Sequence, residues 1–266
     1  MASIYNADDP AAYEQSMGRW SRVLAVPFLD FVAVPEGAAS VLDVGSGTGS
    51  LSFAAAKLLP KTHITGLDHS GAYVAYAQSH TVEARLRFEQ GDAATLPYGD
   101  ASFDAALSLL VLNFVPDAQR AAREMVRVVR PGGVVAAAVW DFRGGLTFLR
   151  TFLDTAAPLD EGAAALRARQ FSALFTSPGE FGAVWKAMGL RHVAETSLTI
   201  RTEFTSFADY WGPWLGGQGT IGAYVCGLPE ERRAVVEHHT RLAYLAGGED
   251  GPRSFTATAR TVRGAV

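Results

Sequence analysis

Three glycines crowd into the end of one apolar run, Val41-Leu-Asp-Val-Gly-Ser-Gly-Thr-Gly49, and no other stretch restricts the fold of this chain so tightly. The run reads as a buried strand that ends in a backbone turn made to approach a ligand. Glycine takes positive φ in such a turn, and it has no Cβ to hold a bound molecule away from the chain's N–H groups. Ser50 to Leu59 follows at once, apolar and Ala-rich, and predicts a helix that Pro60 stops.

The glycine spacing selects among ligands. A dinucleotide fingerprint needs Gly-x-Gly-x-x-Gly, but here Gly49 follows Gly45 and Gly47 and Ser50 stands where the third glycine of that pattern would fall. No Gly-Lys-Ser/Thr follows the turn, which argues against a Walker loop. Diphosphate is large and anionic and needs a helix N-terminus aimed at it. The tighter spacing instead suits a nucleoside-type ligand lying across the turn by its ribose and a small polar tail; the alternative is a purely structural strand-turn-helix corner.

A chain of 266 residues accommodates one α/β domain with insertions, or two small ones. Its net charge of −4 and the absence of any Lys/Arg run longer than two argue against gripping nucleic acid by its phosphates. The lone Cys226 cannot form an internal disulfide, and no Cys/His cluster has metal-site spacing. With no apolar segment of signal-peptide or membrane-spanning length, the expectation is a soluble cytoplasmic protein that needs no metal and no membrane.

Strand-like and helix-like runs alternate through the first half, as in a parallel sheet covered on both faces. After the first strand come His63 to Asp68, Leu86 to Gln90, Phe103 to Ser108 and Val134 to Val139, with helices expected from Gly71 to His80 and from Ala118 to Val129, the latter stopped by Pro131-Gly-Gly133. Four strands thus finish at Asp43/Gly45, Asp68, Asp92 and Ser108. In a doubly wound sheet that carboxyl edge is where ligands bind. Beyond it, Gly144 to Gln170 reads as helical, Ser177-Pro-Gly-Glu-Phe181 opens a helix ending at Gly189, and His192 to Arg201 and Phe255 to Val262 alternate as a final strand pair. The fifty-odd residues between those strands hold Phe204, Phe207, Tyr210, Trp211 and Trp214 at helical spacings and the glycines of Gly216-Gly-Gln-Gly219, and read as core packing or as a lid and pocket wall.

Four blocks in order, Val41 to Gly49, Gly66-Leu-Asp-His-Ser70, Gln90-Gly-Asp-Ala-Ala-Thr-Leu-Pro97 with Ser102-Phe-Asp104, and Val129-Arg-Pro-Gly-Gly133, give the chain its likeness. It resembles the class I S-adenosylmethionine-dependent methyltransferases, of the broad methyltransferase type 11-like group that includes the ubiquinone and menaquinone enzymes. Tyr13-Glu-Gln-Ser-Met-Gly-Arg-Trp-Ser21 and Tyr210-Trp to Gln218-Gly219 look like a subgroup of bacterial methyltransferases. The resemblance implies a Rossmann-like seven-stranded sheet with its last strand antiparallel, one domain over 1–266 with a helical cap at 1–38, a cofactor core at 39–142, a helical lid at 143–190 and an aromatic insertion at 204–252. It implies S-adenosylmethionine as cofactor, S-adenosylhomocysteine as product, a small-molecule acceptor, and allows a homodimer.

The matched residues also have roles by their own chemistry. Asp68, ending its strand, is placed to accept from both ribose hydroxyls, a charge-assisted bidentate contact. Asp92 and the Ala93 N–H would read the adenine edge, unless Asp92 is a helix N-cap. Gly45, Ser46 and Gly47 would floor the methionine side, with Ser108 at the neighbouring strand end and His69 as a pocket wall. Asp43 would brace the turn and Asp104 the strand. An amphipathic helix around Tyr13 to Arg22 would bring Arg19 to the methionine carboxylate and Tyr13 or Trp20 over the pocket; the alternative leaves Arg19 in solvent. For the acceptor, Trp140, Trp211 and Trp214 are candidate walls and Asp141, Tyr210 and Tyr224 candidate bases, suiting an aromatic or otherwise apolar guest. His238 and His239 are expected on an exposed helix, His192 on a strand, and Cys226 as a small buried hydrophobe. Two other readings compete: a non-catalytic cofactor-binding interaction module, and a nucleotide-linked oxidoreductase that the missing glycine disfavours.

Overall fold

A computed structural model describes residues 8–266. In chain order its elements are α1 (Pro10–Tyr13), a π-helical turn (Glu14–Gly18), α2 (Arg19–Val32), β1 (Ser40–Val44), α3 (Ser50–Leu58), β2 (His63–Asp68), α4 (Gly71–Ser79), β3 (Leu86–Gln90), β4 (Phe103–Leu109), a short 3₁₀ turn (Leu112–Phe114), α5 (Ala118–Val128), β5 (Val129–Trp140), α6 (Thr147–Ala156), α7 (Glu161–Phe171), α8 (Glu180–Ala187), β6 (Arg191–Phe204), α9 (Phe207–Trp211), a 3₁₀ turn (Gly212–Gly216), α10 (Gly219–Gly227), α11 (Glu230–Leu245) and β7 (Arg253–Ala265).

The strands form one sheet in the order β3-β2-β1-β4-β5-β7-β6, parallel as far as β5 and antiparallel where β7 joins β5 and β6. The seven-stranded Rossmann-like architecture expected from the sequence is the one observed. Alternate residues of each central strand bury on opposite faces: Val41, Ile64 and Leu107 pack with α2, α3 and α6, whereas Leu42, Val44 and Leu67 pack with α5 and α8. Strand order reverses between β1 and β4, which opens a crevice above their carboxyl ends.

Helix α5 shows how directly pattern becomes structure. Asp117 caps it by accepting from the Arg120 N–H at 2.9 Å, and Ala118, Ala121, Ala122, Met125 and Val128 bury one stripe against the sheet. It ends at Val128 with no loop, because Val129 already pairs with Phe103; Pro131-Gly-Gly133 therefore lies in the irregular first part of β5 rather than after the helix. Gly144 to Gln170 is not continuous either. Pro158 brings no N–H donor to a helix, and Asp160 restarts the helix as α7 by accepting from the Ala163 N–H at 3.0 Å.

The expected long connection before β7 is largely helical. Phe204, Phe207, Tyr210, Trp211 and Trp214 are all buried, and they stack on Phe148, Phe152, Tyr244 and Phe255 in one aromatic cluster. Cys226 is a correction: it lies exposed on α10, its thiol donating to the Leu215 carbonyl at 3.3 Å, because Ile221, Gly222 and Val225 make the buried face of that helix. His238 and His239 are exposed on α11, and His192 is exposed with φ +51° where β6 bulges. Among the described residues no helix is long and apolar enough to cross a membrane, and no His, Cys, Asp and Glu cluster could hold a metal ion.

Candidate cofactor and acceptor site

The turn after β1 is left-handed at each of its glycines, with φ of +78° at Gly45, +54° at Gly47 and +95° at Gly49. A Cβ at Gly45 would run into Val111, and one at Gly49 into the Phe53 ring, so both are fixed by packing as well as by backbone. At Gly47 a Cβ would meet only the Tyr73 ring, at an ordinary contact distance of 3.9 Å, so its backbone conformation and not packing calls for glycine. The Gly45 and Ser46 N–H groups donate to the Leu67 carbonyl at 2.7 and 3.0 Å, tying the turn to the end of β2.

Asp68 closes the same corner. One carboxylate oxygen accepts the Gly47 N–H at 2.8 Å and the other the Ser70 N–H at 2.9 Å. Beside it His69 is half exposed, and its hydrogen bond to Asp68 raises its pKa. Asp43 takes the Ser52 hydroxyl at 2.6 Å through Oδ2, while its Oδ1 is buried with no hydrogen-bond partner. Burial pushes the Asp43 carboxyl up to about 7. The sequence predicted Asp43 only as a brace; it does hold α3, and it also lines the cavity. Asp92 caps no helix. It shapes a tight turn by accepting the Ala94 N–H at 2.8 Å and bridging to Thr95.

These groups open into one cavity of about 540 Å³. Gly45 to Thr48, Asp68, His69, Asp92 and Ala93 line one end, and Trp140, Phe142, Phe148, Leu149, Trp214 and Ile221 line the other. Tyr13, Met17, Arg19 and Trp20 come over it from the N-terminal segment. Two tethers hold that segment down. Glu14 of the π-helical turn accepts from Thr48 in the glycine turn and pairs with Arg22. Arg19 pairs with Asp209 at 2.8 Å, its guanidinium lying over the rings of Trp20 and Phe204. Tyr13 packs on Tyr73, whose hydroxyl donates to Gln218 at 3.4 Å, so the N-terminal segment and the insertion meet over the site.

Several sequence-predicted residues lie elsewhere. Asp141 does not line the cavity: its carboxylate accepts the Arg143 N–H at 3.0 Å and pairs with Arg260 of β7 at 3.0 Å. Tyr224 is turned away, donating to Asp160 at 2.8 Å, and Trp211 is buried behind the cavity wall against Phe207 and Phe152. Ser108 is fully buried and donates to the Val44 carbonyl at 2.9 Å, bracing β4 on β1 rather than facing a ligand. Tyr210 reaches the wall, but its hydroxyl is spent on the Phe148 carbonyl at 2.7 Å, and burial drives its pKa well above the ordinary phenol value. Arg19 is not in solvent: its terminal nitrogens are held by Asp209, while its Nε is buried without a hydrogen-bond partner. Sequence reasoning missed Gln170, Thr220 and Asp209. None stands at a strand end or in a motif, so only the tertiary fold brings them in.

The comparisons with known proteins point the same way. Residues 42–137 match the family model described as a methyltransferase domain. A demethylmenaquinone methyltransferase from Roseiflexus castenholzii is 36% identical over 105 residues, covering 40% of this chain and 44% of that one. Among solved structures, a Haemonchus contortus phosphoethanolamine N-methyltransferase 2 complexed with phosphomonomethylethanolamine and S-adenosylhomocysteine superposes with a TM-score of 0.59 at 14% identity, over 96% of this chain and 56% of that one. The cyclase SpnF superposes with a TM-score of 0.54 at 21% identity, over 100% of this chain and 87% of SpnF. At these identities the structural matches establish the fold, and the alignments to the curated relatives span about two fifths of their length. Residues 42–137, which run from β1 into β5, are thus similar to a methyltransferase domain, and they sit on a seven-stranded sheet of the fold these structures share.

Proposed function

We propose that this protein transfers the methyl group of S-adenosylmethionine to a small, largely apolar acceptor. The observation that carries the reading is one continuous cavity joining the glycine turn and the Asp68 and Asp92 carboxylates to a chamber walled by Trp140, Phe142, Phe148 and Trp214. Gly45 to Gly47 would take the methionine side, Asp68 the ribose hydroxyls, and Asp92 with the Ala93 N–H the adenine edge. The unpartnered Asp43 Oδ1 is available to the ligand's ammonium group. The cofactor, when bound, supplies a methyl group on a sulfonium.

The chain's own contribution is placement. In-line displacement needs a lone pair or electron-rich carbon held behind the methyl group, and such positioning supplies roughly 7 to 11 kcal/mol in the best cases. The apolar wall excludes water, and the two tethers of the N-terminal segment hold the roof in place. Among the described residues no general base stands ready at the acceptor end, since the Tyr210 hydroxyl is held as a hydrogen-bond donor to the Phe148 carbonyl and Arg19 is a protonated, ion-paired guanidinium. The acceptor therefore brings its own nucleophilic atom.

Calorimetry with S-adenosylhomocysteine tests the cofactor half: micromolar binding is expected, and its absence sinks the reading. A labelled-methyl assay against extract of the source organism, with mass spectrometry of whatever takes up label, tests the transfer. The missing base and the likeness to a cyclase support one second reading, a cofactor-holding chamber that acts on or binds an apolar guest without methylating it. Cofactor binding with no label uptake in that assay would favour it.

A further inference from the structure

We propose that Gln170 and Thr220 form a station that reads a neutral hydroxyl group, so that the acceptor is an apolar molecule bearing an alcohol or phenol. The inference rests on the cavity's apolar end being the acceptor chamber, and it assigns the polar recognition there to two residues. Gln170 sits in the last turn of α7, only 8% exposed, and Thr220 in the first turn of α10, which packs on α7. Both line the cavity. The Gln170 amide donates to the Thr220 hydroxyl at 3.1 Å, and its own Oε1 is buried without a hydrogen-bond partner.

A buried amide oxygen left unpaired is costly, and buried polar atoms in proteins are nearly always satisfied. Thr220, having accepted one bond, still has a hydroxyl proton to give. The pair therefore presents one acceptor and one donor amid Phe148, Leu149, Trp214 and Ile221. With the amide turned over, Thr220 donates instead and the unpaired atom is the amide nitrogen. A ligand hydroxyl both donates and accepts, so it satisfies either arrangement.

Charge excludes the main competitors. Among the described residues that line the cavity Arg19 is the only Lys or Arg, and Asp209 already neutralises its charge, so a carboxylate or phosphate finds no uncompensated guanidinium or ammonium there. The lining carboxylates Asp43, Asp68 and Asp92 belong to the cofactor end, so a cationic acceptor has no counter-charge among the aromatic side chains.

Ligand-observed NMR titrations at pH 7, with S-adenosylhomocysteine saturating, would compare 2-naphthol, naphthalene and 2-naphthoate as probes. Wild type is expected to bind 2-naphthol at least about tenfold more tightly than naphthalene, and 2-naphthoate less tightly than 2-naphthol. Gln170→Leu and Thr220→Val should each bring the naphthol preference to within about twofold of naphthalene while naphthalene binding persists. Thr220→Val, on a separate helix, decides the matter if Gln170→Leu does not fold. Equal treatment of naphthol and naphthalene by wild type, failure of both to bind, tightest binding of the naphthoate, or a preference surviving both variants would overturn the proposal. Loss of S-adenosylhomocysteine binding in wild type would instead overturn the reading on which it rests.

Discussion

The Asp68 carboxylate and the Gly47 N–H stand 2.8 Å apart, so the acid that ends β2 also holds the glycine turn that follows β1. One side chain thereby shapes the floor of the cavity and faces the position proposed for a ribose. Asp68→Ala should lose both functions and weaken S-adenosylhomocysteine binding by a hundredfold or more, on the order of 3 kcal/mol for charge-assisted bonds. Asp68→Asn keeps the shape and one acceptor oxygen, and should fall between the two. Calorimetry on both variants, with circular dichroism to confirm folding, checks this; equal affinity in wild type and Asp68→Ala would remove Asp68 from the site.

Asp43 makes stability and binding depend on pH. Its carboxyl titrates near 7 in the fold because burial disfavours the charged form, against an ordinary value of 3.8. The folded state therefore binds the extra proton between those values. This contribution to stability is complete below about pH 4 and is lost as pH rises through 7, amounting to at most about 4 kcal/mol. Thermal melts of the ligand-free protein should accordingly flatten over that window in Asp43→Asn. A ligand ammonium opposite Asp43 would lower its pKa, so binding at pH 6 should release a proton and tighten toward pH 8. Calorimetry in two buffers of different ionisation enthalpy reads that proton directly, and identical heats in both would argue against the contact.

The cofactor end of the site was legible because each of its residues closes an element. A buried parallel strand is a short apolar run, and the residue that breaks it lands at the carboxyl edge, which is how Asp68 and Asp92 declare themselves. The same rule misled at Asp141 and Ser108. Both end strands, but Arg260 of β7 captures the first and the Val44 carbonyl the second, and nothing local to either residue signals those partners. Helical spacing did mark Phe207, Tyr210, Trp211 and Trp214 as packing, yet it could not say which ring reaches the cavity and which lies behind it. Arg19 was legible as a site residue; its partner Asp209 lies 190 positions away, a distance no sequence periodicity spans.

That distant pair is itself testable. Arg19 and Asp209 are each about a quarter exposed, so their ion pair is partly screened, and Asp209→Asn should cost only about 1 kcal/mol of stability. Its effect on selectivity should be larger. With Asp209 neutral, the guanidinium at the cavity becomes an uncompensated positive charge, and 2-naphthoate should gain at least about threefold in affinity relative to wild type. The titrations used for the neutral probes measure this, and unchanged naphthoate binding would show that Arg19 does not address the chamber.

Tyr210 separates a wall from a catalyst. Its hydroxyl donates to the Phe148 carbonyl at 2.7 Å in a fully buried setting, so the phenol keeps its proton and is in no position to accept another. Tyr210→Phe removes one buried hydrogen bond from a carbonyl in the first turn of α6 and should destabilise the fold by about 1 kcal/mol, lowering the melting temperature by a few degrees. Methyl transfer to whatever acceptor the labelling assay identifies should stay within about twofold of wild type. Trp214→Ala, which opens the aromatic wall without touching a proton, should instead raise the acceptor KM more than it lowers kcat. A Tyr210→Phe enzyme that stays folded, binds cofactor and yet loses transfer by a hundredfold or more would restore Tyr210 as the base and overturn the positioning mechanism.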